Sequence, residues 1–179
     1  MGKQDVYSQL RYQQISQALE TVKPEYKVNI NEVAADSFKK YRDYQEQNYP
    51  ALKLRNNAEK IDSSRVNGWW PTFYVGVKGM YIIHKTNKNC VDLTISGKGE
   101  RYEELRIVEK WLHDRGNTDI TLEKTGKSVA FRIRTPEIRM FQPFSTWKMG
   151  DLKTCFDAIC ELTDLAAMFS VINKILFEK

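Results

Sequence analysis

The sequence predicts an α+β fold. A mostly antiparallel sheet built from two β-hairpins forms a ββαββα core packed against helices, with two further helices at the N-terminus. Three observations carry this expectation. Residues 80–85 (MYIIHK) and 90–96 (CVDLTIS) are rich in β-branched and aromatic residues and flank the polar link Thr86-Asn87-Lys88-Asn89, which reads as a hairpin. Residues 120–124 and 128–134 flank Thr125-Gly126-Lys127 and read as a second hairpin, with Val129, Phe131 and Ile133 alternating against Arg132 and Arg134. Apolar residues recur at helical spacing between the hairpins and again after the second one.

Taken in order, residues 5–22 read as an amphipathic helix with Val6, Leu10, Ile15, Ala18, Leu19 and Val22 as its stripe, closed by Lys23-Pro24. Val28-Asn29-Ile30 reads as a short extended piece. Asn31 suits the N-cap of a second helix over 32–47, with Ala34, Phe38, Tyr41 and Tyr44 or Gln45 on one side. Asn48-Tyr49-Pro50 ends it. Residues 51–71, closing on Trp69-Trp70-Pro71, read as a long loop or short turns, with a helix near 57–63 as the alternative; they feed a strand over 72–77.

In the strand over 90–96, Val91, Leu93 and Ile95 share an apolar face, and Asp92, Thr94 and Ser96 a wetter one. After Gly97-Lys98-Gly99, residues 100–115 form a helix. Tyr102, Leu105, Val108 and Leu112 make its stripe, which Ile107 and Trp111 widen. Its acidic start (Glu100, Glu103, Glu104), its His113 and Arg115 at the end, and the following Gly116 suit the helix dipole and a glycine stop. Residues 136–149 are irregular, aromatic and basic. Asp151 then caps a last long helix bearing Leu152, Phe156, Ile159 or Cys160, Leu162, Leu165, Met168 or Phe169, Ile172 and Leu176. Residues 1–50 are therefore expected as a helical extension packed on the core, and residues 51–179 as the core domain.

Composition bounds the function. The chain has 179 residues, 41% of them hydrophobic and 12% aromatic, enough for one packed domain. No apolar run reaches the roughly 20 residues of a membrane span, and MGKQDVYSQ lacks an apolar leader core and a complete myristoylation pattern. No membrane partner and a cytoplasmic location are expected. Cys90, Cys155 and Cys160 make an odd, sparse set, expected as free thiols used for packing. A net charge of +5 and a pI near 9.0 permit an anionic partner without demanding one.

Catalytic signatures are weak. His84 and His113 are the only histidines, without metal-ligand spacing, and both are read as structural. There is no GxSxG motif and no phosphate-cradling glycine loop, and no cofactor or metal is expected. Gly97-Lys98-Gly99 precedes a helix, but that helix starts with acids. A Mg²⁺-dependent nuclease would need Asp92 with Glu123 and Lys124; the adjacent Glu123 and Lys124 would face opposite sides of their strand.

The stronger signal is basic. Lys124, Lys127, Arg132, Arg134, Arg139 and Lys148 fall within 25 residues against one acid, Glu137, with Phe131, Phe141, Phe144 and Trp147 interleaved. Arginines on a sheet face beside aromatic loops suit phosphates and stacked bases. DNA or RNA bound by Lys124, Lys127, Arg132, Arg134, Arg139, Trp147 and Lys148 is the leading expectation, for a protein that is not itself an enzyme. The alternative is a protein-interaction or homodimerisation module using Trp69-Trp70-Pro71 or the aromatic loop from Phe141 to Trp147 as its hot spot.

The succession MYIIHKTNKNCVDLTIS, a helix with EELRIVEKWL, DITLEK, SVAFRIR and a long final helix resembles an uncharacterised bacterial domain that accompanies restriction–modification proteins. The resemblance covers the C-terminal two-thirds and implies a DNA-transaction or defence context of bacterial or phage type. It carries no catalytic residues with it.

Overall fold

The computed structural model describes residues 3–22, 30–55, 70–95 and 102–176. These form four helices and a six-stranded antiparallel sheet. The helices are α1 (Lys3–Val22), α2 (Ile30–Asn48), α3 (Tyr102–Asp114) and α4 (Met149–Leu176); the strands are β1 (Lys53–Leu54), β2 (Thr72–Tyr74), β3 (Met80–Lys85), β4 (Cys90–Ile95), β5 (Ile120–Thr125) and β6 (Ser128–Arg134). Strand order is β1-β2-β3-β4-β6-β5, so β3 and β4 form the centre, β6 lies beside β4, and β5 is an edge.

Both hairpins close through the residues that tolerate φ > 0. Between β3 and β4 the chain makes a 3₁₀ turn over Thr86–Lys88, and Asn89 takes the left-handed conformation, φ 56. Between β5 and β6 only Gly126 and Lys127 intervene, with Gly126 at φ 60.

One face of the sheet is the core. The register aligns Ile82, Leu93, Phe131 and Leu122 in one row across β3, β4, β6 and β5, and His84, Val91, Ile133 and Ile120 in the next. α4 packs over β3 and β4. It buries Leu152, Phe156, Ile159, Leu162, Leu165 and Phe169, with Phe156 meeting Phe73 and Phe169 meeting Phe131. α2 joins the same layer through Ala34, Phe38, Tyr41 and Gln45. The Gln45 amide donates to the carbonyls of Tyr49 and Leu52, fixing the turn into β1.

α3 closes the sheet at the β5 edge, where Leu105, Val108 and Leu112 enter the core. The Glu109 carboxylate accepts the outward N–H of Leu122, and Nε2 of His113 lies 2.6 Å from the Ile120 carbonyl, to which it donates. Two groups of an edge strand that would otherwise offer themselves to another chain are thereby occupied. Gly116, φ 89, ends the helix, and Asn117 N–H reaches back to the Leu112 carbonyl.

Several expectations are corrected. Leu10 and Ile15 are each 53% exposed rather than buried as a stripe; the two residues lie about 140° apart around a helix and share no face. Asn31 and Asp151 lie inside the first turns of α2 and α4 rather than capping them. The 72–77 strand ends at Tyr74, and Lys53–Leu54 adds a strand not anticipated. Ile107 and Trp111 are exposed, at 64% and 40%. The expected glycine turn at 97–99, Trp69 and residues 57–63 lie outside the described residues.

Candidate functional site

The expectation of a half-wet strand β4 fails at its centre, because all six of its residues are buried. Asp92 is wholly inaccessible. Burying a carboxylate is costly unless it is paired and hydrogen-bonded, and the sheet supplies both partners. Asp92 stands directly opposite Arg132 on β6, and Lys85 comes diagonally from β3. Arg132 donates through Nε to Oδ1 at 2.7 Å and through Nη2 to Oδ2 at 2.9 Å. Lys85 Nζ lies 2.8 Å from Oδ2. Burial by itself would push the Asp92 carboxyl up, but the bonds from Arg132 and Lys85 outweigh it and hold it below the usual carboxylate range. The same pairing raises Arg132.

This outer face holds more cations than the carboxylate can neutralise. In the last row, Lys85, Cys90 and Arg134 lie side by side across β3, β4 and β6. Two long cations therefore flank a small residue at about two strand spacings, near 10 Å. Burial raises the Cys90 thiol, so it stays neutral beneath them. Arg134 is exposed and makes no ion pair among the described residues. Trp70 extends the row beyond Lys85. Its ring lies 5.4 Å from Lys85 Nζ and 5.5 Å from Lys88 Nζ, and its Nε1 donates to Asn87 at 2.6 Å.

The seven residues singled out in the sequence do not form one surface. Lys124 pairs with Val129 and so belongs to the helix-covered side, opposite Arg132 and Arg134. Lys127 sits in the hairpin loop, about 20 Å along β6 from Arg134 at strand rise. Arg132 is 16% exposed and committed to Asp92. Arg139 is exposed, and its Nε lies 3.3 Å from Glu137 Oε2. Trp147 donates from Nε1 to the Arg139 carbonyl and packs on Phe144, whose ring faces Lys40. Arg139, Trp147 and Lys148 line a recess of about 330 Å³ together with Glu137 and Asp151, so its charge is mixed.

What the sequence did not reveal is the grouping of Lys85, Lys88, Trp70 and Arg134. The β3–β4–β6 register sets Lys85 and Arg134 on one row, and the Trp70–Asn87 hydrogen bond holds the indole against Lys85 and Lys88. No periodicity reports such a contact. Glu123 shares the outer face and its charge reaches Arg132, while Asp92 is occupied as a counter-ion. Among the described residues no group of three or more His, Cys, Asp or Glu side chains is placed to hold a metal ion. No described helix is long and apolar enough to cross a membrane.

No protein-family model matches the chain, and neither a curated protein nor a solved structure matches it.

Proposed function

We propose that the protein binds nucleic acid on the outer face of its sheet, through Lys85, Lys88, Arg134 and Trp70, with Arg132 and Asp92 as the scaffold beneath. One observation carries this reading. Three cations on the strands flanking β4 surround a single buried carboxylate, and the row at that end of the sheet carries the unpaired Arg134 on one side and Lys85 against Trp70 on the other. Phosphates respond to such a charge excess, and an indole offers a stacking surface to a base. Lys85 is held in place by Asp92, so little of its freedom remains to be lost on binding. Lys124, Lys127, Arg139 and Lys148 would add charge at more distant points of contact. A DNA-transaction or defence setting and a cytoplasmic location are part of the same proposal.

Binding of labelled single- and double-stranded DNA and RNA across a salt series tests the proposal. Affinity should fall steeply with salt, and Arg134→Ala and Lys88→Ala should each reduce the logarithmic slope by about one. Arg132→Lys, which keeps the charge but not the fork, should leave the slope unchanged. Absence of binding at low salt, or an unaltered slope in the Arg134→Ala/Lys88→Ala variant, overturns it.

A further inference from the structure

Helix α3 keeps two large apolar side chains, Ile107 and Trp111, outside the core. Two residues along a helix rotate by about 200°, so Ile107 stands opposite the buried Leu105, and Trp111 follows it one turn later. Arg115 continues the line and lays its guanidinium on the Trp111 ring at 3.8 Å. The first turn carries Glu103 and Glu104. The face therefore runs acid, isoleucine, tryptophan, arginine along about 20 Å of helix.

That order is complementary to its own reverse. Set antiparallel to a second copy about a two-fold axis between Ile107 and Trp111, the acidic end of each helix meets Arg115 of the other. The Ile107 and Trp111 side chains then meet at the centre, and the helix dipoles oppose. Asp114, the acid next to Arg115, is paired with Lys110 at 2.7 Å and adds little repulsion, while Glu103 exchanges its longer 3.5 Å contact with Arg106 for Arg115 of the second copy.

We infer that α3 is the contact surface of a homodimer, isologous and antiparallel, with Ile107 and Trp111 as its centre and Glu103/Glu104 facing Arg115 of the second copy at both ends. Tryptophan and arginine are the residue types that dominate such centres. The exposed apolar area is well below the ~800 Å² per partner of a standard interface, so the dimer is weak and concentration-dependent. The edge of β5 plays no part in it, since Glu109 and His113 already occupy that edge.

Sedimentation equilibrium of the full chain, without nucleic acid, tests this. The mass should rise from 21.0 kDa toward twice that value with concentration. Ile107→Asp, an exposed substitution, should hold it at the monomer. Glu103→Lys/Glu104→Lys and Arg115→Glu should each be monomeric, because like charges then meet at both ends. An equimolar mixture of those two variants should associate at least tenfold more tightly than either alone, because every end pair becomes attractive again. Circular dichroism confirms that each variant is folded. A mass that stays monomeric at the highest concentration reached, or dimerisation indifferent to Ile107→Asp, overturns the surface. A mixture no tighter than its components overturns the antiparallel pairing.

Discussion

Arg132 and Asp92 oppose each other across β6 and β4, joined by two nearly parallel hydrogen bonds of 2.7 and 2.9 Å. The pair makes the centre of the outer face a structural feature, which is why the proposed binding surface lies at the strand ends. Arg132→Ala should then destabilise the protein by about 3 kcal/mol, near the low end for a broken buried pair, because Lys85 still contacts the carboxylate. Adding Asp92→Ala to Arg132→Ala should recover part of the loss, since the stranded charge goes with it. Urea unfolding measures both. A loss under about 1 kcal/mol for Arg132→Ala would mean that water already serves Asp92.

The β5 edge offers a second test. With Glu109→Ala, the Leu122 N–H loses its acceptor while the β6 ladder stays intact. Its amide exchange should speed up about tenfold, the equivalent of one net hydrogen bond, while the Phe131 amide on β6 stays protected. Equal acceleration at both positions would show global loosening rather than an uncapped edge.

Thiol reactivity follows from placement. Cys90 and Cys155 are buried, and burial pushes the Cys155 thiol up to about 12 and raises Cys90. Only the thiolate reacts. Titration of the native protein with a disulfide reagent should label Cys160, which is half-buried, slowly and the other two not at all, whereas denaturant should release all three. Fast labelling of Cys155 in native protein would contradict the close packing of α4 on the sheet.

The four long strands were legible because alternation along one strand reports its own burial. Asp92 was not, because its partners Lys85 and Arg132 lie on other strands, Arg132 40 residues away, and no local pattern carries a cross-sheet ion pair. The two-residue β1 exists only through its pairing with β2. Ile107 and Trp111 read inward on hydrophobicity against their angular positions, Ile107 nearly opposite Leu105 and Trp111 about 120° around the helix from it. The basic run from Lys124 to Lys148 looked continuous in sequence. The pleat sends Lys124 and Arg132 to opposite sides, and the strand separates Lys127 from Arg134.

His84 gives the sharpest pH dependence. It is fully buried beneath α2 and α4, with Nδ1 2.9 Å from the Tyr41 hydroxyl. Burial holds the tyrosine well above its ordinary value, so it stays protonated and donates to Nδ1. The ring proton then sits on Nε2, which has no partner. Burial lowers His84 from 6.5 to about 3. The unfolded chain therefore binds a proton that the native protein refuses between those values. Stability is fully present above pH 6.5 and is lost as pH falls toward 3, at up to about 1.4 kcal/mol per pH unit. Asp92, depressed rather than raised, adds its own loss only below the usual carboxylate range. Replacing both partners, His84→Leu with Tyr41→Phe, removes an unpaired N–H and leaves two apolar groups of similar size, a change expected to be near neutral at pH 7. The double variant should flatten the stability profile between pH 6.5 and 4 while keeping the steeper fall below. Tyr41→Phe alone should cost about 1 kcal/mol at neutral pH and keep the slope. Denaturant melts at half-unit pH steps give the measurement, and a slope that survives in the double variant would assign the acid sensitivity to groups other than His84.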